Sequence, residues 1–181
     1  MGGPALRQKI NERFDGRVLD GGAPDGMQTF LVEPDFIVEV CRFLKEDPDL
    51  RFDFLADICG VDHYPEENRF EVVYHLYSIP FIMRARLKCR AGDPPKVPTV
   101  VGVWRTANWH ERETYDMYGI QFDGHPDLRR IYMWEEFEGF PMRKDFPLKG
   151  YKDAYNPFGE DIDMGTGGPG GAPMQASERD D

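Results

Sequence analysis

At 181 residues the chain has the length of one domain of ordinary size. Its apolar share of 40%, with 13% aromatic residues, is enough for a core, while Gly 19 and Pro 15 point to long irregular stretches beside it. A formal net charge of -11 argues against a nucleic-acid binder, which draws its affinity from clustered Lys and Arg.

The three cysteines, Cys41, Cys59 and Cys89, lie far apart and lack the paired spacing of zinc, iron–sulfur or redox sites, so buried thiols in a reducing compartment are expected. No run approaches the ~20 apolar residues of a membrane span. The stretch from Met1 to Lys9 has no apolar segment of the signal-peptide kind, and Leu6 stands where a myristoylation signal wants Ser or Thr. A soluble chain that meets membranes only through partners is expected.

In chain order, Leu6, Ile10 and Phe14 recur at helical spacing within Ala5 to Phe14, and a breaker run follows from Asp20 to Gly26. Met27 to Val32 reads as a strand. Pro34 suits a first helical turn, and Phe36, Ile37, Val40, Phe43 and Leu44 keep helical spacing until Asp47 and Pro48. Phe52, Phe54 and Leu55 start a further strand expected to fade into a loop from Gly60 to Asn68. The clearest signal is the pair Phe70 to Ser78 and Met83 to Arg90, two alternating runs that predict an antiparallel pairing. In the second run Arg84, Arg86, Lys88 and Arg90 share one face, either as a docking face for an acidic partner or as a solvated face paired with Glu71 or Glu66. A Pro-rich linker, Asp93 to Pro98, leads to a helical stretch from Thr99 with a second start at Asn108, where Glu111 has capping-box spacing, and Gly119 is placed to end it.

Beyond Gly119 no period persists, yet Phe122, Tyr132, Trp134, Phe137, Phe140, Phe146, Tyr151, Tyr155 and Phe158 crowd the segment. So many rings in an aperiodic stretch must be buried on something, the domain's own surface or, the favoured reading, a partner. The boundaries that follow are an α+β domain over 1–118, an extended docking arm over 119–158 and a disordered acidic Gly-rich tail over 159–181.

Motifs of catalysis are weak. Gly165, Gly167 and Gly170 match G-x-G-x-x-G without the strand and helix that pattern needs, and Thr114 stands where a zincin would place its second histidine. The dense cluster His110, Glu111, Arg112, Glu113, Asp116 could start an acid–base enzyme using Glu111, Glu113 and His110. The favoured reading is an internally paired helix, with Arg112 and Asp116 four residues apart. His125, Arg129 and Arg130, then Arg143, Lys144 and Asp145 between prolines, suit fixed pairing at an interface.

The run Ala107 to Ile120 (ANWHERETYDMYGI), followed by Gly124 to Ile131 (GHPDLRRI), resembles the signature of the C-subunit family of NADH:quinone oxidoreductase (respiratory complex I). The likeness continues through Glu138-Gly139 and Arg143 to Leu148, reaches back to Phe54 to Asp57 and Arg69 to Leu76, and departs from the family pattern at Trp134, Phe137 and Phe140. The resemblance implies an α+β fold with a small, mostly antiparallel sheet and a long C-terminal arm. It implies a non-catalytic, cofactor-free subunit of the peripheral arm, on the cytoplasmic face of the bacterial inner membrane, beside the D subunit. NADH, FMN, iron–sulfur clusters and quinone would be used by the assembly, with coupled proton translocation. Equivalent subunits serve membrane-bound hydrogenases and related dehydrogenases, and that alternative stands with the free acid–base enzyme. The expected interface residues are Glu111, Arg112, Glu113, Asp116, His125, Arg129, Arg130, Arg143, Lys144 and Asp145.

Overall fold

The computed structural model describes residues 3–14, 16–22, 25–153 and 155–161. Two compact units divide the chain, Met1–Phe146 and Pro147–Asp181.

The first unit is an α+β domain. Helix α1 (Gly3–Phe14) buries Leu6, Ile10 and Phe14, the four-step stripe read from sequence. Strand β1 (Val18–Asp20) then pairs antiparallel with β2 (Gln28–Val32). A 3-10 turn at Pro34–Phe36 leads into helix α2 (Ile37–Glu46), which buries Ile37, Val40, Cys41 and Leu44. Strands β3 (Phe54–Asp62), β4 (Phe70–Ser78) and β5 (Met83–Ala91) follow. The five strands are ordered β1-β2-β5-β4-β3, antiparallel throughout except for the parallel β2/β5 pair. The fold is therefore α+β with a mostly antiparallel sheet.

The β4/β5 register places Val72 opposite Cys89, Tyr74 opposite Leu87 and Leu76 opposite Ala85, all buried in one core with the stripes of α1 and α2. The other face carries Arg84, Arg86, Lys88 and Arg90 opposite Tyr77, His75, Val73 and Glu71. Most of this ladder is paired within the chain. Arg86 meets Asp25 at 2.7 Å, Lys88 and Arg90 meet Glu71 at 2.9 and 3.1 Å, and Arg90 also meets Glu66 at 2.8 Å.

Several local expectations change. Strand β3 runs on through Gly60 to Asp62, because Gly60 and Val61 keep the ladder with Val72 and Glu71. Gly60 is there for room, not as a breaker: a Cβ on it would lie 2.6 Å from the Tyr118 ring. The Pro-rich linker contains a short strand β6 (Lys96–Pro98), which pairs in parallel with β7 (Gln121–Asp123), and Phe122 and Val97 are buried. The stretch after Thr99 forms turns, and helix α3 begins only at Ala107 and ends at Tyr118. Its N-cap is Thr106 without a side-chain bond, so the Asn108/Glu111 capping box is not made. Gly119 ends the helix as expected, with φ of 76° and its N–H on Tyr115 O.

The second unit folds back on itself in a small loop. Tyr151 and Glu160 form a parallel bridge, and the Lys152 N–H donates to Glu160 O at 2.8 Å. Asp153 Oδ1 accepts the N–H groups of Tyr155 and Asn156. Of the tail expected over 159–181, residues 162–181 lie outside the described residues.

Candidate functional site: a charged clamp around helix α3

Helix α3 is short and polar, yet Glu111, Arg112, Thr114 and Asp116 on it are buried. It lies against β3, an edge strand of the sheet, and Thr114 Oγ1 donates to Ile58 O at 3.3 Å. A helix over a strand edge supplies partners for main-chain groups that would otherwise be open to another chain. The same helix presents its remaining polar groups to the segment that follows it.

Asp116 is the hub. Its Oδ2 accepts the backbone N–H groups of Ile131, Tyr132 and Met133 at 2.9, 2.7 and 3.0 Å, and its Oδ1 accepts Arg130 Nη1 at 2.8 Å. Burial alone would raise this carboxyl, but the bonds from Tyr132, Met133, Ile131 and Arg130 outweigh it and hold it below the usual carboxylate range. Arg130 reaches on, donating through Nη2 to the carbonyls of Phe137 and Gly139 and lying over the rings of Phe137 and Phe140. One carboxylate and one guanidinium thus hold both sides of an aperiodic loop against the helix.

A second lock closes the far end. Arg143 Nε donates to the Tyr118 carbonyl at 2.7 Å, at the helix C-terminus where a cation is favoured, and its guanidinium lies over Phe140 and Phe70. Arg69, at the edge of β4, binds Asp62 through Nε and Nη2 (2.8 and 2.7 Å) and Asp145 through Nη1 and Nη2 (2.8 and 2.7 Å). Asp62 also accepts the Lys144 N–H at 2.8 Å. Despite burial, the bonds from Arg69, Lys144 and Tyr64 hold the Asp62 carboxyl at about 2. Asp145 is lowered chiefly by Arg69, whose own guanidinium is raised by Asp62 and Asp145.

Glu111 is different. Its oxygens accept Thr99 Oγ1 at 2.5 Å and the Val100 N–H at 2.7 Å, tying the turn after β6 to the helix. His125 Nε2 stands 4.0 Å from it, but the ring supplies no charge. The Asp127 N–H donates to Nδ1, leaving Nε2–H to donate to Asn108 O, and burial lowers the imidazole below its ordinary value. Glu111 is consequently pushed up to about 7 by burial, against the opposing bonds from Thr99 and Val100.

The expected site residues therefore divide. Glu111, Asp116, His125, Arg130, Arg143 and Asp145 serve intramolecular locks. Arg112 does not pair with Asp116: its guanidinium lies 4.8 Å over the exposed Trp109 ring, and its Nε donates to Arg129 O. The internal pairing expected along the helix is replaced by pairing to the following loop, because Asp116 is taken by donors from 130–133. The Arg129 side chain projects outward with Asp127, and the Lys144 residue is exposed. The Glu113 side chain has no hydrogen bond or ion pair among the described residues, and His110 faces Asp57 at 3.3 Å. Glu111, Glu113 and His110 thus lie in different surroundings, and Glu111 is sealed from solvent. Residues 120–146 of the expected arm belong to the same compact unit as the domain, and the locks hold 130–145 on its surface.

The model of the family described as respiratory-chain NADH dehydrogenase, 30 Kd subunit, matches residues 30–152, which include every lock above. The chain belongs to that family. Among relatives of this chain, the C 2 subunit of the NADH-quinone oxidoreductase of Rhizobium etli is 68% identical over 157 residues, covering 86% of this chain and 84% of that one. The C 2 subunit of Rhizobium meliloti is 71% identical over 146 residues, covering 81% and 80%. Among solved structures, a chain of the membrane-bound sulfane sulfur reductase, an archaeal respiratory membrane complex, superposes with a TM-score of 0.68 at 27% identity, over 80% of this chain and 85% of that chain. Arg69 and Asp62 carry no signal in the sequence that marks them as site residues. Asp145, the second carboxylate on Arg69, is 76 positions away from it, and no local spacing announces such a pair.

Proposed function

We propose that this chain is the C subunit of an NADH:quinone oxidoreductase and that it works by holding shape. The observation that carries the reading is the fate of the signature residues. They are used to shape a loop surface, with Asp116, Arg130, Arg143 and Arg69 satisfied inside the chain, instead of converging on a reacting atom. In this reading the chain supplies no catalytic group and binds no cofactor. NADH, FMN, iron–sulfur clusters and quinone belong to neighbouring subunits, as does proton translocation. A chain of this fold in a sulfane sulfur reductase complex supports a role indifferent to the electron donor.

The clamp's outer side leaves Tyr132, Trp134 and Met142 exposed beside Arg129 and Lys144. Aromatic and arginine groups on a rigid backing suit a protein interface. The proposed partners are the D subunit and neighbouring peripheral-arm subunits, and the remainder of the expected arm, residues 147–158, is likewise proposed to dock on a partner. Among the described residues no helix is long and apolar enough to cross a membrane. Attachment at the cytoplasmic face of the inner membrane is accordingly proposed to run through these partners, with no nucleic acid involved.

Purification of the tagged chain from membranes in mild detergent, with its companions identified by mass, tests the reading. Sister oxidoreductase subunits in fixed ratio are expected. Recovery of the chain alone, or with subunits of a hydrogenase, would overturn it.

A further inference from the structure

The clamp is not the only surface with the marks of a docking site. The turn between β4 and β5 is Ile79, Pro80, Phe81 and Ile82, and it holds three large apolar side chains in solvent, Ile82 most of all at 80% exposure. Ile82 has φ of 50°, a conformation that a β-branched residue adopts only at a cost that glycine or asparagine would spare. Chain folding alone gives no reason for isoleucine there. Next to the turn, on the sheet face that carries His75, Tyr77 and Arg84, a groove of about 490 Å³ is lined by these three and by Met27, Phe54 and Asp57. The groove lies near the turn in the sheet, since Phe54 and Arg84 both lie opposite Tyr77, two residues before Ile79, and the Ile79 N–H donates to Asp53.

Charge decides what the groove receives. Arg86, Lys88 and Arg90 all have carboxylates of this chain, whereas among the described residues Arg84 has none and only lies 5.7 Å over the Tyr77 ring. Beyond Tyr77, the groove's other titratable groups are Asp57 and His75. Asp57 faces His110 at 3.3 Å, and burial together with Arg86 lowers His75 below its ordinary value. One unpaired cation above an apolar floor calls for an apolar side chain with a carboxylate beside it.

Resting on the reading of this chain as an assembly subunit, we propose that the β4–β5 turn and its groove form a second docking face, separate from the clamp, for a sister-subunit segment that seats a bulky apolar side chain by Phe54 and pairs a carboxylate with Arg84. The two faces lie at opposite ends of β4, whose nine residues span about 27 Å. An anionic bilayer is a poorer occupant, because one arginine on a chain of net charge -11 gives little attraction.

A photoreactive benzoylphenylalanine placed at Ile82 in the full chain, in native membranes, tests this together with Arg84→Glu. The cross-link is expected to fall on a sister-subunit peptide carrying an aspartate or glutamate. Arg84→Glu should cut that cross-link about tenfold without changing the unfolding midpoint of the isolated chain. Reversing the identified carboxylate to lysine should restore the yield. Cross-links only to lipid, only to a second copy of this chain, or to nothing while the chain still co-purifies with the oxidoreductase would overturn the docking face and leave the functional reading intact. Sister-peptide cross-links in a complex that is not an oxidoreductase would support the face and overturn that reading.

Discussion

Asp116→Ala removes the hub of the clamp. The substitution strips the acceptor from three backbone N–H groups, those of Ile131, Tyr132 and Met133, and from Arg130, whose side chain is only 15% exposed. Breaking a buried ion pair from one side costs about 3–5 kcal/mol, and each orphaned buried donor adds about 1–3 kcal/mol. Tyr132 is 61% exposed, so water rehydrates the freed backbone donors, which leaves the ion-pair loss at its lower end, about 3 kcal/mol. The loss falls on the docking of 130–145 more than on the sheet, because these bonds join the loop to α3 and not the strands to one another. Trypsin cleavage after Arg129 and Arg130 is the direct assay: at tenfold for each 1.4 kcal/mol, cleavage in the full chain should accelerate about 100-fold if opening precedes cutting. Asp116→Asn keeps one acceptor and should fall between. Arg129→Ala, at an exposed pair, should shift the unfolding midpoint by less than about 0.5 kcal/mol. Cleavage within twofold of the unsubstituted chain for Asp116→Ala would refute the hub.

Glu111 carries a pH dependence of unusual sign. Its carboxyl lies at about 7 in the folded chain against 4.5 ordinarily, so stability is full below about 4.5 and is lost, by about 3 kcal/mol, as pH rises through 7. Glu111→Gln should flatten that interval in urea titrations between pH 5 and 8, and parallel curves for the two chains would refute the burial argument. Asp62 has the opposite sign, with its carboxyl at about 2 against 3.8, so its stabilisation of about 2 kcal/mol disappears as pH falls from 4 to 2. Arg69→Met should shrink that loss, leaving the part due to the Lys144 and Tyr64 N–H groups, and also release 143–146 to protease, whereas an unchanged acid profile would remove the lock at Asp145. Gly60→Ala drives a methyl into the Tyr118 ring and should cost about 1–3 kcal/mol. In a double-mutant cycle Tyr118→Ala should recover part of that cost, and strict additivity would contradict the contact.

How much of the molecule is legible in its sequence depends on period. Leu6, Ile10 and Phe14, the α2 stripe and the β4/β5 alternation are long enough to show their spacing, and each is found where the spacing predicts it. Strands β1, β6 and β7 are three residues each and have no period to detect. Gly60 misleads because a glycine that makes room for a ring looks the same in sequence as one that ends a strand. The charge-rich helix reads as paired with itself, since Arg112 and Asp116 have the right spacing. A single carboxylate accepting from 130–133 outcompetes that pair, because it satisfies several backbone donors at once. Arg69 is invisible as a site residue for the reason that long-range ion pairs have no local signature. The aromatic stretch after Gly119 does need a surface, and for Phe122, Phe137 and Phe140 the domain itself provides one.

The proposed role, holding an assembly together without performing its chemistry, is tested by NADH:quinone reductase turnover per assembled complex in membranes carrying Asp116→Ala, or Glu111→Gln with Glu113→Gln, as the sole copy of the chain. Less complex is expected for Asp116→Ala, with unchanged turnover in every complex that forms. Full assembly with turnover lost in the glutamate variants would contradict it.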